Sequence, residues 1–287
     1  KNLEFLSTKI ESRLSGSPGA AKAVTWAKKA MYEAGADTVY LQPCMVPHWV
    51  RGEKETCTSI NSKTKKQTSY NICALGNSVG TSKTGLNAPV IIVNSYAQLD
   101  SLGEKNIKGK IVFYNVYFDH KHLSTGTCYG ETVTYRYSGP SKAAKYGAVA
   151  TIVRSMSSIN NDFPHTGVMG YDTVLTKNRI PACAISFSGA DKLLEELKAN
   201  PAMTLQLKMN CQMLAKELSY NVVGEIKGSE KPNEIIMAGG HLDAWDNGQG
   251  AHDDGAGVVQ AMEVLAMYKK QNIKPKHTIR AVAFMNE

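Results

Sequence analysis

The sequence lacks several features that would classify the protein immediately. No window of about 18 apolar residues occurs, so the sequence predicts no membrane-spanning helix. No His-Glu-x-x-His motif is present, which excludes a helix-borne zinc peptidase site of that type. None of the six cysteines has Cys-x-x-Cys spacing, which argues against a thiolate metal site or a redox motif. Whether these cysteines form disulfides is left open by the sequence.

Basic residues are in excess, but they are not concentrated. The net charge is +8, yet no run of lysines and arginines is interleaved with aromatic residues. The sequence therefore predicts no nucleic-acid partner and no membrane partner. Hydrophobic residues make up 43% and charged residues 20% of the 287 positions, as in an ordinary globular protein with room for two domains.

The most informative stretch runs from Glu234 to Glu287. An apolar run at 235–238, closed by two glycines, predicts a short buried strand. Apolar residues at helical spacing predict a helix over 256–270 with its apolar face on a sheet. A second apolar run at 279–285 predicts another strand. Strand, helix and strand together indicate a parallel crossover unit.

Acidic residues and a histidine follow these strands. Ligands of parallel sheets bind beyond the carboxyl ends of the strands, which is where this group falls. Imidazole and carboxylates suit zinc or a similar divalent ion, and one bridging carboxylate would define a two-metal site. The alternative is a solvated acidic loop in which aspartate and glycine only make turns. The group consists of His241, Asp243, Asp246, Asp253, Asp254 and Glu287.

A family resemblance rests on this loop. The sequence GGHLDAWDNGQGAHDDGAG at 239–257, followed by FMNE at 284–287, resembles the co-catalytic di-zinc exopeptidases, which are aminopeptidases and carboxypeptidases. Weaker blocks in the same order include YRYSGPSKAAKYGAVATIVRS at 135–155 and FPHTGVMGY at 163–171. The resemblance implies an α/β fold with a mixed, mainly parallel sheet flanked by helices. It also implies an inserted protease-associated α/β domain.

The resemblance also implies roles for four residues. His241 and Asp253 match metal ligands, with Asp253 bridging two zinc ions in the intact protein. Asp243 matches the carboxylate that orients the ligand histidine. Glu287 matches the general base. In the family a second glutamate and further ligands follow this position, so we expect the site to be incomplete in the sequence given.

The pattern of predicted secondary structure changes near residue 88, and this change suggests the domain organisation. Short strands and helices alternate from there to about 212. We therefore expect a first peptidase segment at 1–87, an inserted protease-associated domain at 88–212 and a second peptidase segment at 213–287. Within the insertion, His165 either hydrogen-bonds to backbone in a Pro/Gly turn or reaches the terminus of a substrate.

These observations predict an enzyme, a zinc-dependent exopeptidase that hydrolyses short peptides or dipeptides with metal-activated water. Two alternatives are a catalytically inactive binding protein that uses the inserted domain, and a single-zinc acyltransferase resembling the glutaminyl cyclases. The sequence does not reveal which peptide terminus is recognised, and a homodimer is left open. Because the chain begins at Lys1 without methionine, we expect an extracytoplasmic protein, secreted or periplasmic, whose leader has been removed.

Overall fold

The computed structural model of the protein describes residues 1–10, 12–60, 67–119 and 121–287. Within these ranges the helices are α1 Asn2–Thr8, α2 Pro18–Ala34, α3 Tyr96–Ile107, α4 Thr125–Tyr137, α5 Gly139–Lys145, α6 Phe187–Ala199 and α7 Ala256–Lys270. The strands are β1 Thr38–Val46, β2 Trp49–Val50, β3 Thr56–Ile60, β4 Gln67–Tyr70, β5 Ile72–Ala74, β6 Leu86–Val93, β7 Ile111–Tyr114, β8 Ala150–Arg154, β9 Ala182–Ile185, β10 Thr204–Lys208, β11 Gln212–Met213, β12 Glu217–Ile226, β13 Lys231–His241 and β14 His277–Phe284. A short π-helical turn at Ala251–Gly255 precedes α7.

The chain divides into two compact units. The first combines Lys1–Trp49 with Leu214–Glu287, and the second is Val50–Met213. The segment 88–212, predicted as an inserted domain, lies inside the second unit. That unit begins earlier than residue 88 because β3, β4 and β5 are hydrogen-bonded into its sheet.

The first unit contains a four-stranded sheet in the order β1-β12-β14-β13. The mixed α/β character expected from the sequence is confirmed, but this sheet is not mainly parallel. β12 is antiparallel to both β1 and β14, and only β13 and β14 run parallel. The reason lies in the connections: the short link at 227–230 reverses the chain, whereas the crossover through α7 returns it in the same direction.

The predicted crossover unit is present in the first unit. The helix over 256–270 is confirmed as α7, and the second strand is confirmed as β14. α2 and α7 both pack on the sheet and on each other, so they lie on one face. Both helices approach the sheet closely: a Cβ added at Gly224 would lie 3.0 Å from the sulfur of Met31, and one added at Gly240 would lie 2.6 Å from the backbone nitrogen of Val258. The core therefore places the sheet edge that bears His241 beside the start of α7.

The predicted burial of β13 is wrong for this structure. Ile235, Ile236 and Met237 are 44%, 56% and 58% exposed. β13 is an edge strand of the four-stranded sheet, and of its residues only Gly240 is buried. An apolar run bounded by glycines resembles a buried strand in the sequence, but the position of a strand within a sheet leaves no mark in that local pattern.

The second unit contains an eight-stranded sheet in the order β4-β3-β10-β6-β7-β8-β9-β5. Its centre, β6 to β9, is parallel, and the flanking pairs are antiparallel. Every residue of β7, β8 and β9 is buried. Such burial on both faces is typical of a parallel sheet covered by helices. Residues 61–66, between β3 and β4 in the sequence, lie outside the described residues.

Helix α4 is absent from the sequence-based prediction. It buries Cys128, Thr132 and Arg136, which recur every four residues but are not a hydrophobic stripe. A search for apolar periodicity therefore misses the helix. All six cysteines are free thiols, which answers the open question of disulfides. Among the residues that the structure describes, no helix is long and apolar enough to cross a membrane.

Candidate active site

His241 lies at the carboxyl end of β13, in register with Phe284 at the end of the parallel strand β14. Residues that follow the two strands therefore emerge at the same edge of the sheet. On one side this is the loop from Leu242 to Asp254, and on the other it is Asn286 and Glu287. The topology thus brings together the two parts of the sequence that carry the predicted site.

The imidazole of His241 is held from both nitrogens. Nε2 lies 2.9 Å from Oδ1 of Asp253, and Nδ1 lies 2.9 Å from the backbone oxygen of Asp243. The carboxylate of Asp243 is 3.7 Å from Nδ1. The Asp243 carboxylate and then the Asp253 carboxylate favour the charged ring against the effect of burial, so the pKa of His241 is raised to about 9. The histidine is therefore oriented by one neighbour and faces a second, exposed carboxylate.

Asp243 connects the two strand ends. Its side chain is only 14% exposed, and its carboxylate accepts hydrogen bonds from the backbone N–H groups of Asn286, at 2.7 Å, and Glu287, at 3.4 Å. The backbone oxygen of the same residue contacts the ring of His241 at 2.9 Å. Asp243 thereby links the position of His241 to that of Glu287. The orienting contact runs through the carbonyl, with the carboxylate farther from the ring.

The adjacent aspartates Asp253 and Asp254 face opposite ways, and the peptide bond between them is cis. Asp254 accepts from the backbone N–H groups of His241, at 3.0 Å, and Gly257, at 3.1 Å. A Cβ at Gly257 would lie 2.3 Å from the Asp254 carboxylate, so a glycine is required for this approach. The side chain of Asp253 is 78% exposed. Asp254 therefore fastens the loop, and Asp253 presents its carboxylate to solvent.

Arg13 is a supporting residue that the sequence analysis missed. Its side chain is buried, with 2% of the residue exposed. It donates four hydrogen bonds to backbone oxygens, at 2.9 Å to Leu242, 3.2 Å to Leu6, 2.9 Å to Gln249 and 2.9 Å to Gly250. Three of these oxygens belong to the loop that carries the site. The arginine occurs in no motif, and its partners are distant in the sequence.

The donors at this edge fit one part of a metal site. Imidazole nitrogen and carboxylate oxygen are ligands that zinc prefers, and His241 and Asp253 already converge to 2.9 Å. Across the described ranges, no three His, Cys, Asp or Glu side chains are grouped to hold one ion. Asp246 lies in a turn of the same loop, and Glu287 is exposed at the end of the chain. The described residues thus contribute two candidate ligands.

Comparisons with known proteins find peptidases that are similar to this chain. Residues 221–287 match the model of the Peptidase family M28. A crystal structure of a peptidase M28 precursor from Shewanella amazonensis superposes with a TM-score of 0.88 and 33% identity, covering 99% of this chain and 62% of that one. A zinc aminopeptidase from Bacillus subtilis shares the fold, with a TM-score of 0.67 and 20% identity over 99% of this chain and 59% of that one. The chain is therefore similar to M28 peptidases, as the resemblance in its sequence predicted.

Curated relatives extend the similarity along the chain. The carboxypeptidase Q of Xenopus laevis is 40% identical over 278 residues, which is 97% of this chain. The human carboxypeptidase Q is 34% identical over 287 residues. The chain spans 56% and 58% of the lengths of these two relatives. The similarity therefore includes both compact units and is not confined to the loop around His241.

Proposed function

We propose that this chain forms part of a zinc-dependent exopeptidase that hydrolyses short peptides. The observation that carries the proposal is the junction of His241, Asp243 and Asp253 at the carboxyl ends of β13 and β14, where Glu287 also emerges. The similarity of the chain to the M28 peptidases and to carboxypeptidase Q supports the same reaction class. Whether the free amino or the free carboxyl end is recognised is a question for substrate profiling.

In this proposal His241 and Asp253 hold zinc. The Nε2 atom of His241 faces the carboxylate of Asp253, and the ring is fixed from behind by the backbone oxygen of Asp243. The Asp253 carboxylate is largely exposed and has two oxygens, so it suits a bridge between two ions. The count of two zinc ions rests on this chemistry and on the family resemblance.

Glu287 is proposed as the general base. Bound zinc supplies a Lewis acid that polarises a peptide carbonyl and makes a water molecule more acidic. The carboxylate of Glu287 takes a proton from the attacking water and delivers it to the leaving amine. Asp243 holds the backbone of Glu287 next to His241, so it positions the base relative to the metal ligand.

Three further assignments belong to the same proposal. The second unit corresponds to the protease-associated domain expected from the resemblance. The protein acts outside the cytoplasm, and its partner is a short peptide. The competing functions are an inactive binding protein and a single-zinc cyclase, and they differ from the peptidase in the amount of metal bound.

The test is a comparison of variants in the full-length protein. His241→Ala and Asp253→Ala should lose zinc and dipeptide hydrolysis together, because each removes a ligand. Glu287→Gln should keep its zinc but lose about 10²- to 10⁴-fold in turnover, because the amide cannot accept the proton. His252→Ala is the matched control, since this exposed neighbour of Asp253 has no part in the proposed site.

Zinc content and hydrolysis are measured on the same preparations. Two zinc ions per protein support the peptidase, one supports the cyclase, and none supports the binding protein. A Glu287→Gln variant that stays active, or that becomes inactive by losing a zinc ion, would show that the role assigned to Glu287 is wrong.

A further inference from the structure

A charged side chain is buried in the second unit without a charged partner among the residues that the structure describes. Arg136 follows Cys128 and Thr132 on the buried face of α4, and only 8% of the residue is exposed. Burying a guanidinium is unfavourable unless an anion or several hydrogen bonds compensate its charge. The charge of Arg136 therefore needs compensation, either from several hydrogen bonds or from a bound anion.

Within the described ranges, Arg136 has few partners and these are neutral. Its Nη2 atom donates to the hydroxyl of Tyr129 at 2.6 Å, and the guanidinium lies 5.4 Å from the centre of that ring. Its Nε atom is buried and has no hydrogen-bond acceptor among the residues that the structure describes. Buried polar atoms are satisfied in the large majority of cases, so an orphaned donor on a cation indicates a missing acceptor.

The surroundings of the guanidinium are built closely around it. Gly167 lies against it, since a Cβ at that position would be 2.3 Å from Nη1. This glycine belongs to the FPHTG sequence that also contains His165, a residue exposed at the surface. Partial burial of the ring is the main cause that lowers the pKa of His165; the hydrogen bond that the ring donates to the backbone oxygen of Met156 raises this pKa, and the charge of Arg136 lowers it further. Arg136 thus lies close enough to the imidazole of His165 to interact with it electrostatically.

We propose that Arg136 is the anchor of a carboxylate-binding site in the second unit, bordered by Tyr129, His165 and Gly167. A planar guanidinium matches the two oxygens of a carboxylate, and such a pair is stronger than a neutral hydrogen bond. A bound carboxylate also supplies a negative charge, which none of the described residues provides at hydrogen-bond distance from Arg136. The hydroxyl of Tyr129 and the ring of His165, two partly exposed residues, offer further hydrogen bonds to the same ligand.

A contrasting arginine shows that this environment is particular to Arg136. Arg154 is also buried in the second unit, but its guanidinium contacts the carboxylate of Asp191 at 2.8 Å and the amide oxygen of Asn115 at 2.8 Å. Its charge and its donors are therefore satisfied within the fold. Arg136 has no such carboxylate among the described residues, and this difference distinguishes a site from a structural ion pair.

The experiment is a binding titration on metal-free protein in the presence of a chelator. The probes are the dipeptide glycylalanine, its C-terminal amide and inorganic phosphate, followed by calorimetry. The carboxylate class rests on the site itself, whereas the choice of a dipeptide rests on the proposed function. Because no turnover occurs, failure of the exopeptidase proposal and failure of this one are separate results.

We expect glycylalanine to bind the wild-type protein about tenfold or more tightly than its amide. Arg136→Met should abolish that preference by removing the charge. Gly167→Ala should abolish it while retaining the arginine, because the new methyl group displaces the guanidinium. Arg179→Met is the matched control, since Arg179 also lies over a tyrosine ring, at 5.5 Å from the centre of Tyr171, but is exposed.

A second readout is the NMR titration of His165. Bound carboxylate should raise the pKa of this histidine, because the anion offsets the charge of Arg136. In Arg136→Met the pKa should be raised without ligand and should not respond to it. Equal binding of peptide and amide, an unchanged preference in both variants, or phosphate binding as tight as the dipeptide would each overturn the proposal.

Discussion

Replacing Arg13 by methionine tests whether the catalytic loop is held by one buried side chain. Methionine keeps most of the unbranched stem and removes the guanidinium. Four backbone oxygens then lose a hydrogen bond from Arg13, and three of them belong to the loop between His241 and Asp253. The prediction concerns stability first and metal binding second.

The magnitude follows from which of these oxygens water can reach. The hydrogen bonds to Leu242 and Leu6 are buried, whereas those to Gln249 and Gly250 are only partly buried. An unsatisfied buried acceptor costs about 1 to 3 kcal/mol, and water can replace the lost donor at the two partly buried positions. Removing the buried charge returns some free energy, so we expect a net loss of about 3 to 5 kcal/mol in unfolding free energy.

The assay is equilibrium denaturation in urea, analysed for both midpoint and slope. A lower midpoint with an unchanged slope reports a loss of stability without a change in the surface exposed on unfolding. The control is Lys29→Met, because Lys29 and Glu33 form an ion pair with both side chains more than half exposed. Such a pair contributes at most a few tenths of a kcal/mol.

The same preparations are titrated with zinc. Because Arg13 fixes the backbone between the two candidate ligands, Arg13→Met should weaken zinc binding as well. A loss of stability below about 1 kcal/mol would refute the reasoning, since two buried acceptors could not then have depended on this side chain. Unchanged zinc affinity would show that the loop keeps its shape without the arginine.

Two further substitutions probe the same loop. Gly250→Ala should cost about 2 to 4 kcal/mol, because the residue has φ +56° and its new Cβ would lie 2.3 Å from that of Ala244; differential scanning calorimetry measures this, and a Tm equal to wild type would contradict it. Asp254→Asn should cost about 1 to 3 kcal/mol, because one amide oxygen cannot accept from both His241 and Gly257 as two carboxylate oxygens do. Here the check is hydrogen exchange of the amide of His241, which should become faster in the variant.

Local sequence patterns were sufficient to predict the secondary structure around the site. The glycine-closed apolar run, the helical spacing over 256–270 and the second apolar run are consecutive, so their periodicity alone predicts strand, helix and strand. Nearby residues also determine where α2 starts and ends. The Ser17 hydroxyl accepts from the backbone N–H of Ala20 at 3.1 Å, and Gly35 ends the helix with φ +104°. The group of six candidate residues was found because it follows strand ends, and the ligand roles of His241 and Asp253 came from the family resemblance.

The tertiary structure decided what depends on distant partners. Arg13 and Leu242 are separated by 229 positions, and no spacing rule connects them. The exposure of Ile235 depends on where β13 falls in the strand order. The burial of the Arg136 Nε atom without a described acceptor depends on how α4 packs in the second unit. Periodicity reports which face of an element is apolar, but hydrogen bonds and strand order between remote segments follow from how the elements pack, so the sequence alone leaves them undetermined.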